Sequence, residues 1–449
     1  MCEVSKIVEE LRKNPVFHMS LASKELFHSN VLAWLLESCD SDDNLLSEIA
    51  KALAELFMPK QNSENGYKVL TVLREKSHFD LIIVFLPKDD YDSINNEDLL
   101  EIKDFFLNSE QPQQLNIKLL QEIESHFHFV VVENKFKSIP NEEQLKKYDE
   151  TIKYGIRIIT VKEPQEDKKR RRTIFCIDLN EKNTTRYLMT PEIALKNFKE
   201  LQESKWQPVS YDEDILRVLK SKFDTDDFTA NFIKYYAKFL ENMLELTKDI
   251  EGKLSSTDNP AAFPDWHDFS KLKKIRIHDF YEKLWFSVLL NKITITDEEI
   301  KRILKTGSGY TNASGLLDFK ITDEKKLVWR GVQIQQRQLR IELEPASKCR
   351  WIRTQDDATP DGAIRNYCDK VLKFMNEKSG KNLGFYLKKD PEELHFFGEF
   401  KYRYIPLEEN EKISIEKLAE MINYALEAIY YTPLEEGLEA EEKNPKKPH

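Results

Sequence analysis

The sequence has no apolar run that is long enough to cross a membrane. Its longest apolar stretches, at residues 81–86 and 127–132, have the length of a β-strand, whereas a transmembrane helix needs about 20 apolar residues. The first residues, MCEVSKIVEELRKN, include acidic side chains and lack the apolar segment of a signal peptide. We therefore expect a cytoplasmic protein without a membrane partner.

Cysteine is scarce and is not arranged in pairs. The scattered positions argue against a disulfide framework and against a structural zinc site. Residues 307–309 form a Gly-Ser-Gly run without the lysine of a phosphate-binding loop, and no Ser/His/Asp or Cys/His arrangement is evident. The five cysteines are Cys2, Cys39, Cys176, Cys349 and Cys368.

The chain has no excess of positive charge. It contains 68 Lys and Arg residues against 79 Asp and Glu residues, which gives a net charge of -11. This balance disfavours a protein that merely coats nucleic acid, because binding to phosphates needs a basic surface. It is compatible with an enzyme that holds nucleic acid over a metal ion bound by carboxylates.

Length and composition indicate a globular protein with more than one domain. The 449 residues exceed one ordinary core, and 40% of them are hydrophobic. We predict a first domain at residues 1–210, with an acidic insertion at about 88–114, and then a helical region at 211–295. A C-terminal α+β domain at 296–432 and a disordered tail at 433–449 complete the prediction.

The hydrophobic periodicity of the first domain predicts an α/β fold. Helical segments, with apolar residues three and four apart, alternate with short β-rich runs. This alternation is typical of a mixed central β-sheet flanked by helices. We predict helices at residues 4–13, 20–37, 43–57, 115–125 and 140–155, and strands at 67–75, 79–86, 126–133, 156–161 and 173–179.

The first candidate site is the run FHFVVVENK at residues 127–135. Side chains alternate along a strand, so Glu133 and Lys135 face one side and Asn134 faces the other. A carboxylate and an ammonium at the end of a buried strand could hold a divalent cation and a water molecule. Other acid-x-Lys pairs occur in the chain, but only this one ends an unbroken apolar strand. The alternative is a strand that simply reaches solvent with a charged pair at its end.

Two further observations accompany this run. Asp80 opens the strand DLIIVF, and in a mixed sheet it could share a metal ion with Glu133, since oxygen donors of this kind suit Mg²⁺. Gln144 and Tyr148 are four residues apart on one helix face, where they could orient the lysine or a phosphate oxygen. Each of these residues, taken alone, is more often an ordinary turn or surface residue.

The helix SKELFHSNVLAWLL places two polar residues on its apolar face. Glu25 and His28 share that face with Leu21, Leu32 and Leu35. Polar groups at such positions need partners. A metal ion or its bound water would satisfy Glu25, and a Glu–His hydrogen bond at the edge of the helix is the alternative.

Together, ELFHSNVLAWLL, FDLIIVF, VVVENKFKS and QLKKYDETI resemble the PD-(D/E)xK nuclease superfamily, and most closely a bacterial family within it. The resemblance covers roughly residues 20–160 and implies a restriction-endonuclease-like core. In the C-terminal half, only FIKYYAKFL and GSGYTNASGLLDF show a general likeness. One departure is Phe79, which stands where the superfamily's name has a proline.

The resemblance also implies a metal site with Mg²⁺ or Mn²⁺ as the cofactor. Asp80, Glu133 and the backbone carbonyl of Asn134 would bind the metal ion. Glu25 would add a ligand, directly or through a water molecule, and His28 is an additional candidate. The implied partner is nucleic acid, with DNA expected before RNA.

The remaining residues of the implied site would act on water and phosphate. Lys135 would position the attacking water and stabilise the developing negative charge. Gln144 and Tyr148 would line the site, because the pair resembles the motif of the exonuclease-like branches. A role in bacterial defence or DNA processing rests on analogy with the family alone.

A basic run lies between two of the predicted strands, close in sequence to this core. It could contact the phosphate backbone of nucleic acid, and a solvated hairpin loop is the alternative. Its residues are Lys168, Lys169, Arg170, Arg171 and Arg172.

The sequence is also compatible with two other functions. The chain could be a catalytically silent nuclease-fold protein that binds or senses nucleic acid, although the presence of Asp80, Glu133 and Lys135 argues against this. It could also be an interaction protein that recruits a partner protein through its C-terminal domain. The acidic surface of the chain would fit this role. The oligomeric state does not follow from the sequence.

Overall fold

The chain folds into two compact units, Met1–Lys248 and Asp249–His449, in a computed structural model. The boundary between them falls within one long helix. No described helix is long and apolar enough to cross a membrane. The structure describes residues 3–20, 24–59, 66–107, 117–136, 142–163, 172–197, 204–220, 227–255, 266–310, 315–335, 337–352, 360–380, 384, 394–407, 413–434 and 437–442.

The first unit combines helices with strands, as the periodicity predicts. Its helices are α1 (Glu3–Lys13), α2 (Pro15–Ser20), α3 (Lys24–Glu37), α4 (Asn44–Phe57), α5 (Lys88–Ser93), α6 (Asn96–Leu107), α7 (Ile117–Ile123), α8 (Glu142–Tyr154), α9 (Glu192–Asn197), α10 (Leu216–Leu219) and α11 (Phe228–Ser255). Its strands are β1 (Tyr67–Arg74), β2 (Leu81–Pro87), β3 (His128–Asn134), β4 (Ile156–Glu163), β5 (Arg172–Leu179), β6 (Thr184–Thr190) and β7 (Trp206–Ser210). Short 3-10 turns at Lys76–His78 and Glu124–His126 precede β2 and β3.

A five-stranded mixed sheet is the centre of this unit. Its order is β1-β2-β3-β6-β7, with antiparallel pairing from β1 to β3 and parallel pairing from β3 to β7. The predicted mixed sheet flanked by helices is therefore confirmed. The prediction missed β6 and β7, and the predicted strands at 156–161 and 173–179 pair with each other as a separate hairpin.

β2 and β3 are buried on both faces. No residue from 81 to 86 exposes more than 1% of its surface, and residues 129–132 are fully buried. Burial of each large apolar side chain contributes about 1.5–3 kcal/mol. Side chains of β3 at Phe129 and Val131 join the same core as Leu145, Tyr148 and Ile152 of α8, and this packing sets α8 against one face of β3.

The segment predicted as an acidic insertion forms two helices between β2 and β3. α5 and α6 cover residues 88–93 and 96–107, and residues 108–114 lie outside the described part of the chain. Leu99, Ile102 and Phe106 are buried in the core of the first unit. The described part of this segment is therefore not a solvated loop.

The second unit has the predicted α+β composition. Its helices are α12 (Trp266–Lys274), α13 (His278–Lys292), α14 (Glu298–Ile303), α15 (Asp361–Ser379) and α16 (Ile415–Tyr431). Its strands are β8 (Lys305–Tyr310), β9 (Gly315–Asp323), β10 (Val328–Gln335), β11 (Gln338–Pro345), β12 (Cys349–Trp351), β13 (His395–Phe397), β14 (Phe400–Pro406) and β15 (Ala440–Glu442).

Antiparallel pairing organises the strands of this unit. Six of them form a sheet in the order β13-β14-β11-β10-β9-β8. A second small sheet pairs β12 with β15. β15 lies within the segment for which we predicted a disordered tail, and residues 443–449 lie outside the described part.

One face of the six-stranded sheet buries a group of charged side chains. Lys320, Gly331 and Glu342 lie directly opposite one another on β9, β10 and β11. A Cβ atom on Gly331 would lie 2.6 Å from the backbone carbonyl oxygen of Phe319 and 2.8 Å from Oε1 of Glu342, so a larger residue would force the sheet backbone and this carboxylate to move. The ammonium of Lys320 lies 3.5 Å from Glu342 and 3.2 Å from Asp318. Burial, together with the nearby Asp318 carboxyl group, raises the pKa of Glu342 well above its usual range.

We predict that Glu342 makes the stability of the second unit depend on pH. The folded unit holds the Glu342 proton more tightly than the unfolded chain does. The free energy of unfolding should therefore fall as pH rises from about 4.5 through the raised folded pKa. Thermal unfolding of the full chain between about pH 5 and about pH 8 measures this loss, and Glu342→Gln should reduce it.

Glu324→Gln is the matched control, because Glu324 is exposed on the turn between β9 and β10. This variant should retain the pH dependence of the wild type. Equal pH dependence in the wild type and in Glu342→Gln would contradict the prediction.

Candidate functional site

The ends of β2 and β3 bring two acidic residues together. Leu81 pairs with Val132 in antiparallel register, so Asp80 and Glu133 lie at the same end of the two strands. Oδ2 of Asp80 accepts a hydrogen bond of 2.7 Å from the backbone N–H of Asn134. The Asp80 carboxylate is thereby fixed at the point where β3 ends.

Glu133 and Lys135 form a close ion pair on one face of β3. Nζ of Lys135 lies 2.8 Å from Oε1 of Glu133, and the two side chains are 11% and 2% exposed. The predicted alternation is confirmed, because Asn134 points to the opposite face. A charge at this depth is costly without a partner, so the pair is a specific feature of the site and not a strand end that reaches solvent.

α8 adds an amide and a phenol to the same face. Nε2 of Gln144 donates hydrogen bonds to Oε1 of Glu133 at 2.9 Å and to the hydroxyl oxygen of Tyr148 at 2.7 Å. The Tyr148 hydroxyl donates in turn to the carbonyl oxygen of His78 at 3.0 Å. Burial raises the pKa of Tyr148, and the Glu133 carboxylate acts in the same direction. The phenol therefore keeps the proton with which it binds His78.

An ion pair that was not predicted fastens α8 to the sheet. Arg186 of β6 is buried, and its guanidinium lies 3.0 Å from Asp149 of α8 and 3.6 Å from Glu181. Burial raises the pKa of Asp149, while Arg186 acts to lower it. This contact holds the helix that supplies Gln144 and Tyr148.

β6 also holds the backbone of Lys135. The N–H of Lys135 donates to the carbonyl oxygen of Met189 at 2.8 Å, and the hydroxyl of Thr190 donates to the carbonyl oxygen of Lys135 at 2.9 Å. Sequence reasoning missed both contacts because it missed β6. The run TTRYLMT before Pro191 is rich in β-branched and aromatic residues and could have predicted this strand.

The turn before Asp80 has an unusual backbone. Glu75, Ser77 and His78 have φ values of 50°, 56° and 72°, in the left-handed region. Non-glycine residues in this region cost roughly 1–3 kcal/mol each and persist only where their surroundings enforce them. We call residues 75–78 the left-handed turn.

The side chain of Asn134 belongs to the opposite face of β3. Its Nδ2 donates to Oγ of Ser29 in α3 at 3.0 Å, and its Oδ1 accepts from the Tyr211 hydroxyl at 2.9 Å. All three residues are buried. The Asn134 amide thus joins α3 to the sheet, while only its backbone lies near Asp80.

His28 lies on the Asn134 side of the sheet. It is fully buried, with Nδ1 3.1 Å from the Tyr236 hydroxyl and its ring centre 4.2 Å from that of Phe136. Aromatic rings surround it, including Phe239, which stacks on it. The structure therefore does not bring His28 to the face that holds Glu133 and Lys135.

The remaining candidates lie where the structure gives no side-chain position. Glu25 belongs to α3, but its side chain lies outside the described part. Lys168, Lys169, Arg170 and Arg171 also lie outside it, and of Arg172 only the backbone, at the start of β5, is described.

The donor set fits a hard divalent cation. Asp80 and Glu133 offer carboxylate oxygens at neighbouring strand ends, and Mg²⁺ is commonly bound by one or two carboxylates together with water and substrate phosphates. Within the described ranges, no group of three His, Cys, Asp or Glu residues could hold a metal ion. The fit therefore rests on two carboxylates.

Residues 16–238 match a family model described as PD-(D/E)XK nuclease superfamily. The first unit belongs to this superfamily. The matched range includes Asp80, Glu133 and Lys135, and it extends through most of the first unit. No curated protein and no solved structure gives a significant match. Membership in the PD-(D/E)XK superfamily indicates a nuclease, and the five-stranded mixed sheet is consistent with a restriction-endonuclease-like fold.

We predict that the Asn134 side chain stabilises the PD-(D/E)XK unit. Asn134→Ala removes the hydrogen bonds to Ser29 and Tyr211 inside a buried region. Because two buried hydrogen bonds would be lost, the free energy of unfolding should fall by about 1–3 kcal/mol. Chemical denaturation of the full chain measures the change.

Tyr211→Phe is the comparison, since it removes only one of these hydrogen bonds. Its loss should be smaller, about 1 kcal/mol. An Asn134→Ala protein as stable as the wild type would show that the amide does not join α3 to the sheet.

Proposed function

We propose that this chain is a metal-dependent nuclease that hydrolyses phosphodiester bonds, with DNA as its substrate. The main support is the buried Glu133–Lys135 pair beside Asp80 in a chain whose first unit belongs to the PD-(D/E)XK superfamily. Nucleases of this superfamily typically use Mg²⁺ or Mn²⁺, which the oxygen donors here would suit.

Asp80 and Glu133 would hold the metal ion. The backbone carbonyl of Asn134 would assist them, and Glu25 would add a further ligand. When bound, a divalent cation would polarise the scissile phosphate and neutralise part of its charge. The hydrogen bond from Gln144 to Glu133 would keep that carboxylate in one orientation.

Lys135 would act on the water and on the phosphate. Its ammonium is held close to Glu133 and has little contact with solvent. In such an environment an ammonium stabilises negative charge more strongly than it does in water. Lys135 would therefore orient the attacking water and stabilise the negative charge that develops as the phosphorus–oxygen bond breaks.

The rest of the chain would serve substrate binding or recruitment. The basic residues 168–172 would contact the phosphate backbone of the bound nucleic acid. The second unit would bind a partner protein or the nucleic acid. The setting we propose is bacterial defence or DNA processing in the cytoplasm.

We predict that Lys135→Ala and Asp80→Ala abolish cleavage that depends on Mg²⁺ or Mn²⁺. Lys135→Ala removes the ammonium that acts on the water and the phosphate, and Asp80→Ala removes a proposed metal ligand, so rates should fall by about 10²-fold or more. The assay compares plasmid, linear and single-stranded DNA with RNA, which also determines the substrate class.

Lys325→Ala is the matched control, because Asp323 and Lys325 have the same acid-x-Lys spacing on an exposed turn. It should cleave like the wild type. No cleavage of any substrate by the wild type would count against the nuclease and favour a silent or partner-activated protein. Full activity in both Lys135→Ala and Asp80→Ala would show that the catalytic residues lie elsewhere in the chain.

A further inference from the structure

The left-handed turn concentrates backbone strain at one point in the chain. Three of its four residues have positive φ angles although none is glycine. Elsewhere in the described ranges the non-glycine residues with positive φ are isolated, as at Arg276 and Lys348. At other described turns, such as those at Gly66 and Gly155, the chain uses glycine. Within the described ranges, this kind of strain is therefore concentrated in the segment that leads into Asp80.

Two backbone hydrogen bonds at the left-handed turn stabilise its conformation. The N–H of Glu75 donates to the carbonyl oxygen of Asp80 at 3.3 Å, and the N–H of Phe79 donates to the carbonyl oxygen of Lys76 at 3.1 Å. These two contacts close the turn on itself. The backbone of Asp80 is thus fixed directly by the first residue of the turn.

Tyr148 of α8 also stabilises the conformation of the left-handed turn. Its hydroxyl donates to the carbonyl oxygen of His78, and its ring packs at 4.9 Å against the buried ring of Phe79. The same hydroxyl accepts from Gln144, which also binds Glu133. One continuous series of hydrogen bonds therefore joins the Glu133 carboxylate to the turn that precedes Asp80.

We infer that the left-handed turn is a positioning element, which holds the Asp80 carboxylate in place relative to Glu133 before any metal ion binds. The inference rests on the proposed function, because Asp80 and Glu133 are the proposed metal ligands. A backbone with few accessible conformations would leave little ordering for metal binding to impose. Glycine would relieve the strain but would also let the turn move.

The test compares two substitutions of Ser77 in the full chain. Ser77→Gly fits the left-handed backbone without strain and should raise the melting temperature by about 2 °C or more. It should nevertheless weaken Mn²⁺ binding about three- to tenfold, measured by titration calorimetry, and lower kcat to a similar extent with little change in KM. Ser77→Asn tolerates the same backbone without the freedom of glycine, and it should retain wild-type Mn²⁺ affinity and kcat.

Lys348→Gly is the matched control, since Lys348 has a φ of 69° on an exposed turn of the second unit. It should raise the melting temperature and leave Mn²⁺ binding and kcat unchanged. If Ser77→Gly gains stability with unchanged Mn²⁺ affinity and kcat, the inference is wrong while the nuclease stands. If Ser77→Asn loses as much as Ser77→Gly, the Ser77 side chain is responsible and the inference is also wrong. A wild type that neither binds Mn²⁺ nor cleaves any substrate would overturn the proposed function and this inference together.

Discussion

In the first unit, β2 and β3 lie side by side with both faces buried, and Asp80, Glu133 and Lys135 meet at the end of this pair. The antiparallel register fixes which residues meet there, since a shift by one residue would turn every side chain to the other face. The large apolar side chains of both strands hold that register. The position of the candidate site thus depends on the packing of residues that take no part in its chemistry.

Burial of charge at this position requires an extended set of partners. Glu133 contacts both Lys135 and Gln144, and Gln144 also contacts Tyr148. Arg186 then ties α8 to β6 through Asp149. Each contact gives a polar or charged group a hydrogen bond or an opposite charge, and burial without either would be costly. The result is a polar network that spans two strands and one helix.

The second unit contains the same acid-x-Lys spacing in a different environment. Asp318 and Lys320 lie on β9, and Lys320 also contacts Glu342 and Glu344 from β11. Three carboxylates surround one ammonium, and burial raises the pKa of Glu342 and Asp318. The two sites show that the spacing alone does not define a chemistry, because neighbouring strands decide the charge around the lysine.

The sequence alone predicted the elements of the first unit that have a strong local pattern. The apolar run before Glu133 predicted β3, and the two-residue alternation correctly placed Lys135 on the same face. The four-residue spacing of Gln144 and Tyr148 likewise predicted that they share one helix face, and both contact the site. These features follow from periodicity, which is a property of neighbouring residues.

Only the tertiary structure decided the contacts between residues distant in the chain. His28 shared an apolar stripe with Glu25 in the sequence, yet it lies among aromatic rings on the Asn134 side. β6 and β7 were missed, and with them Arg186 and the anchoring of Lys135. For segments with a clear periodicity, the sequence determined the strand or helix character and the alternation of side chains between faces, since these depend on local geometry. The tertiary structure decided which residues each strand or helix face contacts, because these contacts depend on strand order and register across the whole unit.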